Sequence, residues 1–359
     1  MNRARPLLQP GRRFLAALIL LVLVLPLLGM AVTPYRDRSV MERRMLAGPP
    51  RGLSPSDWDA YIRDHFAGRQ QLIFADLWLS ARVRLKPASA ANTTVIRGEG
   101  DWLLLQPGLL GATGGQTDAK AAQRFAVFAC GLQAEMNNRK VPFLFAPAPG
   151  SAEVYPEAVP AWVPKGPTTQ ADLLVKAVQG CGARALDLRP AMQAAKGQGP
   201  VYQRHDSHWT NIGALAAFNG MAQAMGQPGW RIDPQAMNWR PTAAADSDLV
   251  RLSGLVDLPA EMLPQPPEGP DSRPLTGEVP GVDHGVYPPA FLQPPQPGPT
   301  VLIVGDSYTS DFMAQYFRRA RVRLAWTHMA DCRFDRRVFD AVKPDFVVLM
   351  PATRQAVCR

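Results

Sequence analysis

Three side chains that could act together as a nucleophilic triad lie in two short motifs. The first motif surrounds Ser307, which follows an apolar run at residues 301–304 and precedes a helical pattern that begins at Tyr308. A strand that turns directly into a helix exposes a serine hydroxyl and directs unpaired backbone N–H groups toward a bound group. Ser307 is therefore a candidate nucleophile, with an N-cap role for Ser307 or Asp306 as the alternative.

The second motif, residues 201–210 (VYQRHDSHWT), contains Asp206 and His208. A helical pattern begins at Asn211, so both residues lie on the loop that enters a helix. An aspartate two residues before a histidine can accept the proton on Nδ1 and fix the imidazole tautomer, which leaves Nε2 to act as a base. The sequence predicts Asp206, His208 and Ser307 as a catalytic triad.

Three other interpretations of the second motif stay open at this point. His205 could be the base, although its direct adjacency to Asp206 fits that role less well. His205, Asp206 and His208 could also ligate a metal ion, but no further Cys, His or Glu cluster completes a coordination sphere. Lastly, the loop could do no more than cap a helix. We assign no metal and no cofactor.

The elements around the motifs alternate between helical and strand patterns. This alternation predicts an α/β fold with a parallel sheet flanked by helices, in which ligands bind beyond the carboxyl ends of the strands. The predicted helices are residues 117–139, 171–179, 190–195, 333–342 and the stretches that begin at Asn211 and Tyr308. The predicted strands are residues 141–146, 185–188, 301–304, 322–326 and 346–350.

The segments outside this alternation are predicted to be smaller additions. A helix is expected to begin at Ser54, a hairpin to form around the Gly/Asp turn at residues 98–101, and a short helix to lie near Asp248. Residues 259–299 are rich in proline and are predicted to form a surface loop or a small insert.

The N-terminus predicts export from the cytoplasm. Four arginines precede an uncharged stretch at residues 14–32, which is close to the ~20 residues that span a bilayer. We expect residues 1–32 to form an uncleaved inner-membrane anchor and residues 33–359 to form one domain outside the cytoplasm. Cleavage after the small residues Gly29, Met30 and Ala31 is the alternative.

The charge of +9 and the pI of about 9.7 suit an anionic surface such as a polysaccharide or lipid headgroups. No run of Lys or Arg interleaved with aromatic residues occurs, so we predict no nucleic-acid partner. None of the four cysteines forms a CxxC pair, which excludes zinc-knuckle and thioredoxin-like sites. In an exported domain an even number of cysteines predicts disulfides. Proximity in sequence favours the pairs Cys130–Cys181 and Cys332–Cys358 over the other pairings, with buried free thiols as the alternative.

The motifs together resemble a known family. From residue 36 onward, the chain is similar to periplasmic alginate O-acetyltransferases and related polysaccharide O-acetyltransferases of the SGNH-hydrolase type. The segments that carry the resemblance are ERRMLAGP at 42–49, DHF at 64–66, GEGDWLL at 98–104, VYPEAVP at 154–160, ALDL at 185–188, DSHWT at 206–210, residues 248–255 and GDSY at 305–308.

The resemblance implies an acetyl-serine on Ser307, with His208 as the base, Asp206 as its partner and the Ser307 N–H in the oxyanion hole. It further implies transfer to a hydroxyl of an exported polysaccharide, with a multi-spanning membrane acyltransferase as the acetyl donor and other subunits of an export complex as partners. Trp209, Tyr308 and Arg204 are expected to line the substrate site. An exported acetylesterase and a non-catalytic scaffold remain alternatives.

Three positions depart from the family pattern. The loop after the strand at 141–146 has no lysine, Thr353 and Arg354 stand where Glu-Arg is usual, and Asp306 replaces a small hydroxyl residue. The first two departures concern acceptor binding or local structure. None of them removes a member of the predicted triad.

Overall fold

The computed structural model describes residues 10–30, 35, 38–39, 44–50, 52, 54–69, 71–72, 95–244, 247–253, 258–267, 277–282, 290–294, 296–310 and 312–358. Contacts divide the chain into two compact units, Met1–Leu85 and Lys86–Arg359. The sequence predicts a domain boundary after residue 32 instead, and that boundary stays a prediction.

The first unit contains two helices and one short strand pair. Helix α1 spans Pro10–Gly29 and α2 spans Pro55–His65, while β1 (Arg38–Ser39) pairs antiparallel with β2 (Arg44–Met45). The helix predicted at Ser54 is present, with Ser54 at its N-cap.

The predicted membrane anchor is not supported by this unit. None of the helices in the described residues combines the length and the hydropathy that a bilayer crossing needs. The uncharged stretch of the sequence runs to residue 32, whereas α1 includes Arg12 and Arg13 and ends at Gly29. The uncharged part of the helix, residues 14–29, is therefore shorter than the uncharged stretch of the sequence, residues 14–32.

The second unit contains the remaining elements. Its strands are β3 (Val95–Arg97), β4 (Leu103–Leu105), β5 (Phe143–Phe145), β6 (Arg240–Ala243), β7 (Met262–Gln265), β8 (Phe291–Leu292), β9 (Thr300–Gly305), β10 (Arg323–His328) and β11 (Phe346–Met350). Its helices are α3 (Leu109–Thr113), α4 (Ala119–Arg139), α5 (Ser151–Val154), α6 (Gln170–Gln179), α7 (Arg189–Ala195), α8 (Asn211–Ala224), α9 (Asp248–Ser253), α10 (Ser307–Ser310), α11 (Ala314–Arg319) and α12 (Val338–Val342).

The central sheet has the strand order β5-β11-β9-β10-β8. All neighbouring pairs are parallel except β8 with β10. At the centre of the sheet, Ile303 of β9 pairs with Val348 of β11 and with Trp326 of β10. The predicted α/β fold is confirmed, and the predicted parallel sheet is correct except at the edge strand β8, which is antiparallel.

Both faces of β9 are buried. Val301 and Ile303 pack in one hydrophobic cluster with α8, while Leu302 and Val304 pack in a second cluster with α4. All four side chains are completely buried. An uninterrupted apolar strand is what a sheet covered on both faces requires, which explains why residues 301–304 do not alternate in polarity.

Several elements differ from the sequence predictions. The helix predicted from Tyr308 is broken into α10 and α11. Residues 185–188 make one isolated bridge to β5, and the helix predicted at 333–342 covers only α12. The described residues of 259–299 include β7, which pairs with β6, and the edge strand β8. Short runs of this kind depend on their tertiary neighbours more than on their own propensity.

The two disulfides match the pairing that sequence proximity favoured. Cys130 of α4 bonds Cys181, with Cα atoms 6.1 Å apart, and Cys332 bonds Cys358, with Cα atoms 5.1 Å apart. The first joins α4 to the segment after α6. The second joins the C-terminal segment to the loop that follows β10.

Candidate active site

Ser307 begins α10 immediately after β9, and Asp306 fixes the turn between them. One Asp306 carboxylate oxygen accepts from the Tyr308 backbone N–H (3.1 Å), and the other accepts from the N–H of Ala352 (2.7 Å). The first contact caps α10, and the second ties the turn to the segment after β11. Asp306 departs from the family pattern, yet its carboxylate holds Ser307 at the carboxyl end of the sheet.

Gly305 is required by the same turn. A Cβ atom there would lie 2.4 Å from Thr309 Oγ1 and 2.9 Å from the carbonyl oxygen of Met350. Thr309 Oγ1 is itself committed to hydrogen bonds with the carbonyl oxygen of Asp306 and the indole N–H of Trp326. Only glycine allows the end of β9 to approach these groups so closely.

The three predicted triad residues form a continuous hydrogen-bonded chain. Ser307 Oγ lies 2.9 Å from His208 Nε2, and His208 Nδ1 lies 2.6 Å from Asp206 Oδ1. The imidazole packs against the rings of Tyr308 (5.0 Å between centroids) and Phe312 (6.0 Å). This order of contacts, hydroxyl to imidazole to carboxylate, is the arrangement that activates a serine for nucleophilic attack.

Asp206 is buried and held in its charged form. Burial favours the protonated carboxyl, but the hydrogen bond and the charge of His208, together with backbone N–H donors, outweigh burial and lower the pKa of Asp206 to about 2. The donors are the N–H of His208 to Oδ1 (3.0 Å) and the N–H of Asp248 to Oδ2 (2.7 Å). An ionised Asp206 can stabilise the imidazolium that forms when His208 takes a proton.

Asp248 is a second buried carboxylate of the site, where no role for it was predicted from the sequence. Its Oδ1 accepts from the backbone N–H of Ser207 (2.7 Å), its Oδ2 accepts from the Ser207 hydroxyl (2.6 Å), and Oδ2 lies 3.9 Å from His208 Nδ1. In the sequence Asp248 looks like the first residue of a short helix. The one sequence signal was its place in the segment 248–255 that resembles the family.

Asp206, His208 and Asp248 lie close enough for one ligand atom of each to share a metal ion. This set differs from the alternative raised from the sequence, in which His205 stood in place of Asp248. The donor atoms are already engaged, because both ring nitrogens of His208 and both oxygens of each carboxylate have the partners described above. We therefore interpret the cluster as a hydrogen-bond network.

The three residues predicted to line the substrate site differ in burial. Trp209 and Tyr308 are at most 1% exposed and pack edge to face at 5.2 Å between centroids, within the core beside α8. Trp209 is thus a core residue and not a surface contact, because its neighbours enclose the whole ring. The Arg204 side chain is exposed, while its backbone N–H donates to Glu261 Oε2 (2.8 Å).

The backbone N–H of Ser307 meets the first requirement for an oxyanion donor. In the described part of the chain, no group accepts a hydrogen bond from it. It begins α10, where the first N–H groups have no partner within the helix. A negatively charged oxygen formed next to Ser307 Oγ would be stabilised by this donor.

Residues 95–321 match the family described as ALGX, the SGNH hydrolase-like domain of the acetyltransferase AlgX. The chain belongs to this family. The matched region includes Asp206, His208 and Ser307 and ends before β10. The family that the sequence motifs indicated is therefore confirmed.

Individual relatives are distant. The protein named "Probable alginate O-acetylase AlgJ" of Pseudomonas aeruginosa is 27% identical over 226 residues, which are 61% of this chain and 50% of that protein. The chain thus spans about half the length of this relative.

Solved structures that are similar to this chain include PatB1 and an AlgJ domain. PatB1 of Bacillus cereus is 14% identical and has a TM-score of 0.53, with 75% of this chain and 98% of PatB1 covered, which supports the fold. The O-acetyltransferase domain of Pseudomonas putida AlgJ is 19% identical and has a TM-score of 0.47, with 73% of this chain and 91% of that domain covered.

Proposed function

We propose that this protein is an O-acetyltransferase that transfers an acetyl group, through an acetyl-serine at Ser307, to a hydroxyl of an exported polysaccharide. The observation that carries the proposal is the chain of contacts from Ser307 through His208 to Asp206. The family membership and the AlgJ relative, which is named for alginate O-acetylation, support a polysaccharide acceptor, alginate-like or cellulose-like.

In the first half-reaction, Ser307 Oγ attacks the acetyl carbonyl of the donor while His208 Nε2 takes the hydroxyl proton. The backbone N–H of Ser307 stabilises the tetrahedral oxyanion, and Asp206 stabilises the imidazolium. The carbonyl then re-forms, the bond to the donor oxygen breaks, and His208 returns its proton to that oxygen. The products are acetyl-Ser307 and the deacetylated donor.

In the second half-reaction, a sugar hydroxyl takes the place of the donor. His208 accepts the proton of this hydroxyl as its oxygen attacks the acetyl carbonyl. The bond between the acetyl group and Ser307 breaks, and His208 returns the proton to Ser307 Oγ. The sugar leaves as an O-acetyl ester and the enzyme is regenerated.

The setting proposed for this reaction is the periplasm. Two disulfides within the second unit are typical of proteins outside the cytoplasm. We propose that residues 14–32 hold the chain at the inner membrane or act as a cleaved signal, and that residues 33–359 carry the reaction. A multi-spanning membrane acyltransferase is the proposed acetyl donor, and other export-complex subunits are the proposed partners.

The test uses the full chain and a chromogenic acetyl ester, with and without polysaccharide fragments. Intact-protein mass should show one added acetyl group, and acetyl should appear on the sugar. Ser307→Ala should abolish both signals. Ser310→Ala is the matched control, because Ser310 lies on the same helix and its hydroxyl donates to the Ser307 carbonyl (3.4 Å).

Two other outcomes would contradict the proposal. Acetyl passed only to water, with every acceptor tested, would indicate an acetylesterase that uses the same intermediate. No acetyl adduct and no effect of Ser307→Ala would indicate a non-catalytic scaffold.

A further inference from the structure

The imidazole of His208 lies against two aromatic rings that differ in exposure. The Tyr308 ring is 1% exposed and belongs to the hydrophobic core. The Phe312 ring is stacked on the imidazole, with 6.0 Å between centroids and 30° between planes, and is only partly buried at the edge of the same core cluster. Phe312 is therefore the ring that borders both the general base and the solvent.

Phe312 is held in this place by the helix that follows it. It lies in the break between α10 and α11, and α11 is joined to the start of α8 by two hydrogen bonds. Gln315 Nε2 donates to Asn211 Oδ1 (2.6 Å), and the Tyr316 hydroxyl donates to the Asn211 carbonyl (2.7 Å). Asn211 comes three residues after His208, so the segment that carries the phenyl ring is fixed to the segment that carries the imidazole.

The acetyl-serine of the proposed reaction has two possible fates. When a sugar hydroxyl attacks the acetyl carbon, the bond from that carbon to Ser307 Oγ breaks, and the hydroxyl proton passes through His208 to Oγ. When water attacks, the same bond breaks and the acetyl group leaves as acetic acid. Both nucleophiles must give their proton to His208 Nε2, so the surroundings of that nitrogen affect the competition between them.

A phenyl ring beside the imidazole favours the sugar in this competition. A water molecule is held in a site by several polar partners, and the Phe312 ring offers none. A sugar presents C–H groups on the faces of its ring, and these groups can pack against an aromatic side chain and leave water. The same side chain can thus hinder one nucleophile and bind the other.

We propose that Phe312 is a specificity-determining residue, which covers His208 against water and packs against the ring of the acceptor sugar. The inference rests on the proposed function, because it requires the acetyl-serine at Ser307. It assigns the choice between transfer and hydrolysis, which the triad by itself leaves open, to one side chain outside the triad.

The test measures the lifetime of acetyl-Ser307 in the full chain without an acceptor. The protein is acetylated with a chromogenic acetyl ester, the excess ester is removed, and the intact-protein mass is followed over time. Phe312→Ala should shorten the lifetime of the adduct by about tenfold, because water gains access to His208. General damage to the site would have the opposite effect, since a displaced His208 would activate water less well and the adduct would last longer.

Two further variants make this result specific. Phe312→Leu keeps an apolar side chain but loses the flat ring, so the lifetime should shorten only several-fold, and this variant serves if Phe312→Ala fails to fold. Phe346→Ala is the matched control, because Phe346 is also a partly buried ring at the edge of the same core cluster. It begins β11, at the opposite end of the sheet from Ser307, and its replacement should leave the lifetime unchanged.

The effect on transfer is measured with a mannuronate hexasaccharide and with cellohexaose as acceptors. In Phe312→Ala the ratio of acetylated sugar to free acetate should fall by about tenfold relative to the wild-type chain, because the variant loses both the cover over His208 and the surface for the sugar. An unchanged ratio would overturn the proposed contact with the sugar.

Failure of this inference can be told apart from failure of the proposed function. An acetyl adduct that forms on Ser307 but lasts equally long in the wild-type chain and in a folded Phe312 variant would refute the role of Phe312 only. The absence of any adduct on the wild-type chain would refute the acetyl-serine mechanism, and this inference with it.

Discussion

Asp206 shows how a buried carboxylate can stay ionised in this site. Its two oxygens accept from one imidazole and two backbone N–H groups, so most of its lone pairs have donors. Each donor favours the charged form, and together they outweigh the cost of burial. The charged Asp206 carboxylate thus holds the loop through backbone N–H groups and orients the imidazole of His208.

Replacement of Asp206 should therefore affect both rate and acid stability. Asp206→Asn should slow hydrolysis of a chromogenic acetyl ester by about 10²–10⁴-fold, because the amide favours the wrong imidazole tautomer. The pKa of Asp206 is lower in the folded than in the unfolded chain, so its stabilising effect is present above about pH 4 and is lost as the pH falls toward 2.

Urea unfolding at several pH values measures the second effect. The difference in unfolding free energy between wild type and Asp206→Asn should be about 2 kcal/mol at pH 6 and should shrink toward pH 2. A difference that stays constant with pH would contradict the assigned ionisation.

Asp248 is expected to act as a positioning residue for the segment 206–208. Asp248→Ala removes both hydrogen bonds to Ser207 and should lower the rate of acetyl-ester cleavage by about tenfold. Ser207→Ala removes only one of them and should have a smaller effect. In the double variant the losses should not add, since both changes break the same contact.

A spectroscopic measurement separates positioning from general destabilisation. The proton on His208 Nδ1 should give a low-field NMR resonance, and Asp248→Ala should shift or broaden it while the unfolding midpoint changes little. An unchanged resonance in a variant with reduced activity would argue against a positioning role.

The secondary-structure elements meet at the turn between β9 and α10. This turn is enclosed by Thr309 on its own helix and by Met350 at the end of the neighbouring strand β11. The position of Ser307 therefore depends on two adjacent strands, β9 and β11, and not on one loop alone. A small displacement at Gly305 would move the nucleophile relative to His208, which is held by a different part of the chain.

A methyl group at Gly305 tests this enclosure. Gly305→Ala should destabilise the chain by about 1–3 kcal/mol through overpacking and should also reduce acetyl-ester cleavage. Gly131→Ala is the matched control, because Gly131 lies within α4 with open space around its Cβ position, and it should stabilise the chain by about 0.5–1 kcal/mol. Denaturant unfolding of the two variants gives both values, and a neutral Gly305→Ala would contradict the close approach.

The loop that carries His208 is held by elements far apart in sequence. The carbonyl of Arg204 accepts from the N–H of Leu103 in β4 (2.8 Å), and Ser207 is fixed by Asp248 of α9. The Ser207 carbonyl accepts from the Tyr308 hydroxyl of α10. Irregular backbone in a buried loop needs such partners for its polar groups.

Across the second unit, the disulfides restrain two separate parts of the chain. Cys130 and Cys181 are 51 residues apart, and Cys332 and Cys358 are 26 residues apart. The second disulfide closes a segment that includes β11 and the turn with Arg354. Loop-closure entropy makes both bonds stabilising, the longer loop more so.

Removal of each disulfide should lower stability by a different amount. The model of loop-closure entropy gives about 4 kcal/mol for the Cys130→Ser/Cys181→Ser pair and about 3.5 kcal/mol for the Cys332→Ser/Cys358→Ser pair. Urea unfolding of each double variant, with the untreated and the dithiothreitol-reduced wild-type chain alongside, measures these losses. Equal stability of oxidised and reduced wild-type chain would contradict the contribution of the disulfides.

Local patterns were sufficient to predict several features of this protein. The apolar run at 301–304 predicted β9, because a strand buried on both faces must be apolar throughout. Asp206 and His208 are close in sequence, so their hydrogen bond depends mainly on a local turn and could be anticipated. The α/β class and the disulfide pairing likewise followed from alternation and proximity.

The remaining features depend on contacts between residues that are distant in sequence. Asp248 joined the site, and Trp209 went into the core, because of packing among α8, α9 and α10, which local patterns do not encode. The break between α10 and α11 likewise lies inside one continuous helical pattern. Arg354 contacts Tyr308 because the segment after β11 folds back beside α10. Burial and hydrogen-bond satisfaction are properties of the assembled fold, so the sequence could propose the triad but could not reveal what surrounds it.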